Sequence, residues 1–169
     1  MRGVVEFRDI PEYLRVKLDE NGETQLWKTI DEFGGVKEFC DTFDYSGSKL
    51  YNYRSKDVFI PLKLVKQVLG MNASDTVTAI KGPGRSKTVE NPVFPMKPDS
   101  ELLTRINCSV NVNKNGIPVY QTDERLLADR FGELLQQYGE VPFKIYNREL
   151  YELRYPKFLH ELLAEMNYT

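Results

Sequence analysis

The sequence has 169 residues, of which 41% are hydrophobic, which is enough for one ordinary domain or two small domains with an apolar core. Its net charge of −2 argues against a uniformly basic nucleic-acid binder, and two distant cysteines with a single histidine lack the spacing of a zinc site. No stretch has the composition of a signal peptide or the length of a membrane span, so we expect a cytoplasmic protein with no membrane partner.

The charge is unevenly distributed along the chain. Residues 1–44 carry a net charge of −5, residues 45–97 carry +6 and residues 98–169 carry −3. A surface that contacts phosphate groups would need such a basic surplus. Chance differences in charge between solvent-exposed faces would give the same distribution, so charge alone leaves both interpretations open.

The spacing of apolar residues predicts four helices in residues 1–72. Before them, YLRVKL at residues 13–18 alternates weakly and predicts either one short strand or an extended lead-in. We expect the helices at about 26–33, 36–43, 46–55 and 61–70. A Gly-Gly pair ends the first helix, and a glycine ends the fourth.

Residues 73–97 have a different composition from the helical region before them. They contain the loop GPGRSK and the string NPVFPMKP, which has three prolines. TVTAI, residues 76–80, predicts a short strand. We therefore expect a linker with short extended structure between one domain at 1–72 and another at 98–169.

The pattern of residues 98–169 predicts the order αββαββα, with helices covering the apolar side of four strands. Asp99 or Ser100 is expected to cap the first helix. An Asn-Gly pair at 115–116 predicts a hairpin between the first two strands. In the second of these strands we expect Ile117 and Val119 to face the helices.

The string VKEFCDTFDYSGSKLYNYRS, residues 36–55, has the spacing of a helix-turn-helix unit. Cys40 is a small residue where two helices approach, Asp44 stands where such turns usually have glycine, and Leu50 lies beneath the second helix. The outer face of that helix would enter the major groove, where Asn pairs with adenine and Arg or Lys with guanine. The candidate DNA-binding residues, including two from the loop GPGRSK, are Ser46, Ser48, Lys49, Asn52, Arg54, Lys56, Arg85 and Lys87. A helical segment that packs only against a protein partner is the alternative.

Three strings of this chain resemble one half of a LAGLIDADG homing endonuclease. They are NPVFPMKPDSELLTRINCSV, NGIPVYQTDERLLADRFGELLQQYG and YPKFLHELLAEM, and their order and spacing agree with the family. The run from residue 14 to residue 169 is more specifically similar to archaeal members that place a helix-turn-helix ahead of a single endonuclease-like domain. The expected fold class is therefore α+β, with an all-α helix-turn-helix domain followed by an αββαββα LAGLIDADG-like half-domain.

In this family the first helix of the endonuclease domain ends in an acidic residue that binds divalent metal over the scissile phosphate. Asn107 occupies the matching position here, and its neutral amide supplies no negative charge and cannot act as a base. The resemblance therefore implies no catalytic residue and no metal ligand or cofactor, with Mg²⁺ needed only if nuclease activity survives. It also implies that the outer face of the sheet lies on DNA, with candidate contacts from Ser109, Asn111, Asn113, Lys144, Tyr146 and Arg154.

The leading hypothesis is a non-catalytic, regulatory DNA-binding protein derived from a homing endonuclease, with double-stranded DNA as its partner. A sporulation-regulator family, which joins a degenerate LAGLIDADG domain to a helix-turn-helix, is similar in outline. One alternative is an active site-specific endonuclease that works as a homodimer with Mg²⁺. The other is a protein-interaction module.

Overall fold

The structure is a computed structural model that describes residues 3–55 and 57–167. The chain divides into two compact units. The N-terminal unit is Pro11–Ile80, and the C-terminal unit combines Lys81–Thr169 with Met1–Ile10. The described residues contain seven α-helices and two small sheets of short strands, so the fold class is α+β. Each helix in 3–55 and 57–167 is too short or too polar to span a lipid bilayer.

The N-terminal unit combines four helices with short strands. Its elements are β1 (Arg15–Leu18), α1 (Glu20–Glu32), α2 (Gly35–Phe43), α3 (Gly47–Tyr53), β2 (Ile60–Pro61), α4 (Leu62–Leu69) and β3 (Val77–Lys81). The strand β1 pairs antiparallel with β2, with Val16 opposite Ile60, and β3 lies on the other side of β1. The side chain of Asp19 caps α1 by accepting from the Gly22 amide at 2.7 Å.

These strands correct the expectation of an all-α N-terminal domain. The four helices overlap the predicted ranges, although α1 begins at Glu20 rather than near residue 26, and β3 overlaps the predicted strand TVTAI. The weakly alternating segment 13–18 contains the strand β1, whose partner β2 is only two residues long. A two-residue strand is too short to show a periodicity in the sequence. Its pairing with β1 also joins residues that are distant along the chain, which a local pattern does not predict.

The C-terminal unit has the predicted order αββαββα. Its elements are β4 (Thr88–Glu90), α5 (Ser100–Ser109), β5 (Val110–Val112), β6 (Pro118–Thr122), α6 (Arg125–Leu135), β7 (Lys144–Asn147), β8 (Tyr151–Arg154) and α7 (Lys157–Asn167). The last four strands form an antiparallel sheet in the order β5-β6-β8-β7, so two hairpins pair through their inner strands β6 and β8. Asp99 caps α5 by accepting from the Leu102 amide at 2.8 Å.

The boundary between the units lies within the segment 73–97 that the sequence predicts as a linker. The segment contains β3 and β4, and the boundary between the units lies between residues 80 and 81. The first ten residues, expected in the first domain, belong to the C-terminal unit, where Val5 and Met96 exchange backbone hydrogen bonds of 2.9 and 2.8 Å. The ring of Phe7 also meets the ring of Phe94 edge-on, with centroids 5.5 Å apart.

One face of the four-stranded sheet packs on the helices, and the other is open. On the packed face Tyr120 stacks on Phe131 of α6 with ring centroids 4.2 Å apart, and Leu153 is fully buried. The prediction that Val119 faces the helices is wrong, because it lies opposite Arg154 in the register, on the face opposite Tyr120. Val119 is nevertheless buried, and because of its apolar character the sequence pattern predicts it on the helix-packed face.

Candidate nucleic-acid interface

The helices α2 and α3 are joined by three residues, 44–46. Asp44 adopts a left-handed conformation with φ 58° and ψ 48°, and the Tyr45 amide donates to the Cys40 carbonyl at 3.1 Å. Asp tolerates this conformation better than most residues with a side chain, which explains how it replaces glycine in the turn. Cys40 and Leu50 are buried, as their spacing predicts. The turn is therefore well defined, and it leaves the outer face of α3 in solvent.

The outer face of α3 is polar. The predicted DNA contacts Ser48, Lys49 and Asn52 are exposed on it, as are Ser46 at its N-cap and the ring of Tyr51. The hydroxyl groups of Ser46 and Ser48 lie 3.0 Å apart and share a hydrogen bond. Lys56, the last candidate of this segment, lies outside the described residues.

Arg54 is held against α1. Its Nη2 donates to Asp31 Oδ2 at 2.9 Å, and its guanidinium lies 5.2 Å from the centre of the Trp27 ring. Glu23 and Glu32 line the same groove. The structure thus places Arg54 in an intramolecular ion pair with an acidic surrounding.

The open face of the four-stranded sheet in the C-terminal unit carries a second polar surface. A hydrogen-bonded row crosses it, in which Asn111 Nδ2 donates to Gln121 and Gln121 Nε2 donates to Glu152, each at 3.4 Å. Arg154 stands opposite Lys144 in the register of β8 and β7, and Tyr146 stands opposite Glu152. Amides, a phenol ring and cations therefore share one solvent-facing surface.

Three cations surround the ring of Tyr146. The distances to its centroid are 4.9 Å from Lys144 Nζ, 4.5 Å from the Arg154 guanidinium carbon and 5.7 Å from that of Arg148. Glu152 partly neutralises the group, since Arg154 Nη2 lies 3.2 Å and Arg148 Nη1 lies 3.8 Å from its Oε2. One carboxylate against three cations leaves this cluster with a local positive charge. We call Lys144, Tyr146, Arg148 and Arg154 the Tyr146 cluster.

A cavity of about 430 Å³ borders this cluster within the C-terminal unit. Arg85 and Lys87 of the GPGRSK loop line it together with Tyr146, Arg154 and Lys157. Among the described residues, no Asp or Glu lines the cavity. The structure thus brings the two loop candidates together with two of the sheet candidates, although they are distant in sequence.

Two other sheet candidates have different positions from those expected. Ser109 is the last residue of α5 and is half-buried, so it is not part of a strand. Asn113 closes the β5–β6 hairpin, because its Oδ1 accepts from the backbone amides of Asn115 and Ile117 at 2.9 and 3.0 Å. Asn111, by contrast, lies exposed on the open face.

Sequence reasoning missed Arg148 and Lys157. Arg148 lies in the turn between β7 and β8, and Lys157 is the first residue of α7. A register built from the alternation of residues 144, 146 and 154 could have placed Arg148 near Tyr146. The position of Lys157 follows only from the fold of the whole unit.

Asn107 is exposed in the last turn of α5. In 3–55 and 57–167, no three His, Cys, Asp or Glu side chains are grouped so that they could hold a metal ion. The side chain of Glu101, one of the acids of α5, is engaged by Arg105 and Arg130 at 2.9 and 2.8 Å. Those two guanidinium groups hold the pKa of Glu101 at about 2.

No protein-family model matches this sequence, and no curated protein or solved structure is significantly similar to it. The resemblance to LAGLIDADG homing endonucleases therefore stays a prediction, as do the DNA partner and the homodimer.

Proposed function

We propose that this protein binds double-stranded DNA without cleaving it and acts as a regulator. The observation that carries the proposal is the Tyr146 cluster, in which Lys144, Arg148 and Arg154 stand on the open face of a sheet with one carboxylate between them. Phosphate contacts from Lys and Arg supply most of the affinity of proteins for duplex DNA. Neighbouring amide side chains such as Asn111 and Gln121 could contact base edges or sugars.

The outer face of α3 is the second DNA contact in this proposal. Lys49 and Asn52 are exposed there, and they have the chemistry to contact guanine or phosphate and adenine, respectively. Arg54 is excluded from the contact set because it pairs with Asp31. The two surfaces lie in different units, so each of them is tested with its own variants.

Asn107 supports the non-catalytic part of the proposal. If the resemblance to homing endonucleases holds, this amide replaces the acid that binds the catalytic metal. An ancestral nuclease that lost this charge would retain a DNA-binding surface but lose hydrolysis. A regulatory role is consistent with that loss.

The test is fluorescence anisotropy with random-sequence duplex DNA over a series of salt concentrations. We compare the wild type with Lys144→Ala/Arg148→Ala and with Lys49→Ala/Asn52→Ala. Each lost phosphate contact should lower the slope of log affinity against log salt by about 1. Lys28→Ala/Lys63→Ala is the matched control, because it removes two exposed cations that belong to neither surface.

Three results would contradict the proposal. The first is the absence of binding at low salt, and the second is an equal loss of affinity in the control variant. The third is cleavage of plasmid DNA by the wild type with Mg²⁺, which would exclude the non-catalytic role. Selection from random duplexes tests regulation separately, since a sequence-specific regulator should enrich a short motif.

A further inference from the structure

The cavity beside the Tyr146 cluster has a preformed loop as one wall. In the GPGRSK segment, Ser86 Oγ donates to the Pro83 carbonyl at 2.7 Å, and Lys81 Nζ donates to the Gly84 carbonyl at 3.3 Å. Gly84 has φ 68°, a conformation that glycine adopts without strain. These bonds close the loop on itself and leave Arg85 and Lys87 on the cavity side. The loop therefore presents two cations on a defined backbone.

The other wall is formed where β8 ends and α7 begins. Lys157 lies close to the backbone of Gly116, where an added Cβ would be 3.3 Å from the lysine Nζ. Arg154 shares its charge with Glu152, but its Nε is buried and has no hydrogen-bond acceptor among the described residues. Arg154 is thus held within the fold, whereas the side chain of Lys157 is exposed and also lies 3.7 Å from Glu161.

The composition of the lining indicates the chemical class of the ligand. Four cations face a volume of about 430 Å³ that has no acidic side chain among its described lining residues. Glu152 and Glu161 neutralise part of the charge of Arg154 and Lys157, so the positive surplus at the cavity comes mainly from Arg85 and Lys87. A surplus of this kind favours an anionic ligand. The same lining contains Ile117 and Pro156, which offer apolar surface to a flat ring. Ligand sites of about 300–1,000 Å³ that combine apolar walls with a few polar groups are typical of small-molecule binding.

We propose that this cavity binds a phosphate-bearing ligand of mononucleotide size. The cations would contact the phosphate, and the apolar wall would contact the base. The source is either a free nucleotide, which would make the cavity an effector site, or an unpaired nucleotide of a DNA strand. The inference goes beyond duplex binding, and only its second form rests on the proposed function.

The experiment measures binding to the full chain by isothermal titration calorimetry. The probes are 2′-deoxyadenosine 5′-monophosphate, inorganic phosphate and 2′-deoxyadenosine. We expect the nucleotide to bind more tightly than inorganic phosphate and the nucleoside to bind least, since both phosphate and base contribute. In Arg85→Ala/Lys87→Ala, nucleotide affinity should fall at least tenfold, while Lys28→Ala/Lys63→Ala should retain it.

A second arm distinguishes the two sources of the nucleotide. Anisotropy compares a blunt duplex with the same duplex carrying a one-nucleotide 5′-phosphorylated overhang. Tighter binding of the overhang, lost in Arg85→Ala/Lys87→Ala, supports the DNA form, and equal binding of both duplexes together with nucleotide binding supports the free form. If neither the nucleotide nor the overhang is bound preferentially, the inference is overturned.

The outcomes keep this inference separate from the proposed function. Duplex binding that is lost in Lys144→Ala/Arg148→Ala, while neither the nucleotide nor the overhang is bound preferentially, would support the proposed function and overturn the cavity. Nucleotide binding without duplex affinity would support the cavity and overturn the proposed function. Equal affinities for inorganic phosphate and for the nucleotide would overturn the assigned ligand size.

Discussion

The guanidinium carbon of Arg154 lies 4.5 Å from the centre of the Tyr146 ring, across the pairing of β7 and β8. Arg154 also contacts Glu152 and lines the cavity next to the GPGRSK loop. One side chain thus takes part in the open sheet face and in the cavity. Its planar charge can stack on a ring while its remaining donors contact an anion, which lysine cannot do in the same way.

The Tyr146 ring is expected to position the cations that contact DNA. A cation–π contact at an exposed site contributes about 0.5–1 kcal/mol. If Tyr146→Leu removes a contribution of this size from the DNA complex, it should weaken duplex affinity about two- to fivefold. Tyr146→Phe retains the ring and is the matched control, which should bind DNA as the wild type does. Equal losses in both variants would assign the effect to the hydroxyl group and contradict the role of the ring.

Arg54 is expected to stabilise the N-terminal unit and to contribute little to DNA affinity. Its ion pair with Asp31 is half-exposed and is worth about 0–1 kcal/mol, and its contact with Trp27 adds a similar amount. Arg54→Ala should therefore lower the free energy of unfolding by about 1 kcal/mol. Trp27 is the single tryptophan, so its fluorescence during urea denaturation reports on this unit directly.

Lys49→Ala is the matched comparison for Arg54→Ala. It removes one exposed cation from α3, and its free energy of unfolding should remain within about 0.5 kcal/mol of the wild-type value. Its duplex affinity should fall, whereas that of Arg54→Ala should not. If Arg54→Ala instead lowers duplex affinity and Lys49→Ala lowers stability, Arg54 must leave Asp31 to contact DNA.

The hydrogen-bonded pair of the buried Tyr155 and the half-buried His160 makes stability depend on pH. The Tyr155 hydroxyl lies 2.8 Å from His160 Nδ1, and burial raises the pKa of Tyr155, so the hydroxyl stays protonated and donates. Burial lowers the pKa of His160 below its ordinary value of 6.5, with a smaller opposing effect from Glu161. The unfolded chain therefore binds a proton at this histidine more readily than the folded chain does.

The expected result is a loss of stability as the pH falls. The contribution of neutral His160 is fully present above pH 6.5 and declines as the pH falls through the lowered pKa of the folded state. His160→Gln cannot titrate, so the difference in free energy of unfolding between wild type and variant should shrink from pH 7 towards pH 5. Urea denaturation at a series of pH values measures it. A difference that grows with acidity would mean that folding raises the pKa of His160.

The sequence predicts local structure well where apolar residues repeat within one element. The spacing around Leu26, Ile30 and Leu50 identified helices, and the Asn-Gly pair identified the β5–β6 hairpin. The pairing of Val5 with Met96 could not be predicted, because a short isolated bridge between distant segments has no pattern of its own. For this reason the sequence predicts the first ten residues in the N-terminal domain, whereas they belong to the C-terminal unit.

The candidate site shows the same difference between local patterns, which the sequence reveals, and tertiary contacts, which it does not. Arg85, Lys87, Tyr146 and Arg154 were identified as separate candidates from residue type and alternation, but their meeting in one cavity depends on the tertiary fold. The sequence predicts Arg54 as a DNA contact, because a basic residue near a helix end has no signature that distinguishes a groove contact from an ion pair. Asp31, its partner, lies on another helix and carries no signal of that pairing.

The carboxylate of Glu101 joins α5 to α6 and should stabilise the C-terminal unit above acidic pH. It accepts from Arg105 and Arg130, which lower its pKa from an ordinary value of 4.5 to about 2. A lowered pKa means that this stabilisation is present above pH 4.5 and is lost as the pH falls towards 2. Glu101→Gln should lower thermal stability at pH 7 and should lose less stability than the wild type on acidification between pH 4.5 and pH 2.

Glu149→Gln is the control for Glu101, because it removes an exposed carboxylate from the turn between β7 and β8. Its thermal unfolding at pH 7 should match the wild type. If Glu101→Gln also matches the wild type at pH 7, the two arginine contacts do not contribute to stability. Because Glu101 is well exposed, its effect should also weaken in high salt.

Gly22 in α1 is required by the close approach of Thr76. An added Cβ would lie 2.6 Å from Thr76 Cβ and 2.7 Å from its Oγ1, and Thr76 is held by its own hydrogen bonds to Ala73 and Asp19. Overpacking of this kind costs about 1–3 kcal/mol, which exceeds the gain of about 1 kcal/mol from replacing a helical glycine by alanine. Gly22→Ala should therefore lower the urea midpoint of the N-terminal unit, followed by Trp27 fluorescence.

Gly47→Ala separates this steric effect from helix propensity. Gly47 is the first residue of α3, and an added Cβ would have no neighbour within 4 Å. The substitution should be neutral or should raise stability by up to about 1 kcal/mol, since it only restricts the unfolded chain and favours the helix. If Gly22→Ala proves as stable as Gly47→Ala, Thr76 must move aside at little cost, and the packing of α1 on residues 73–76 is looser than these distances imply.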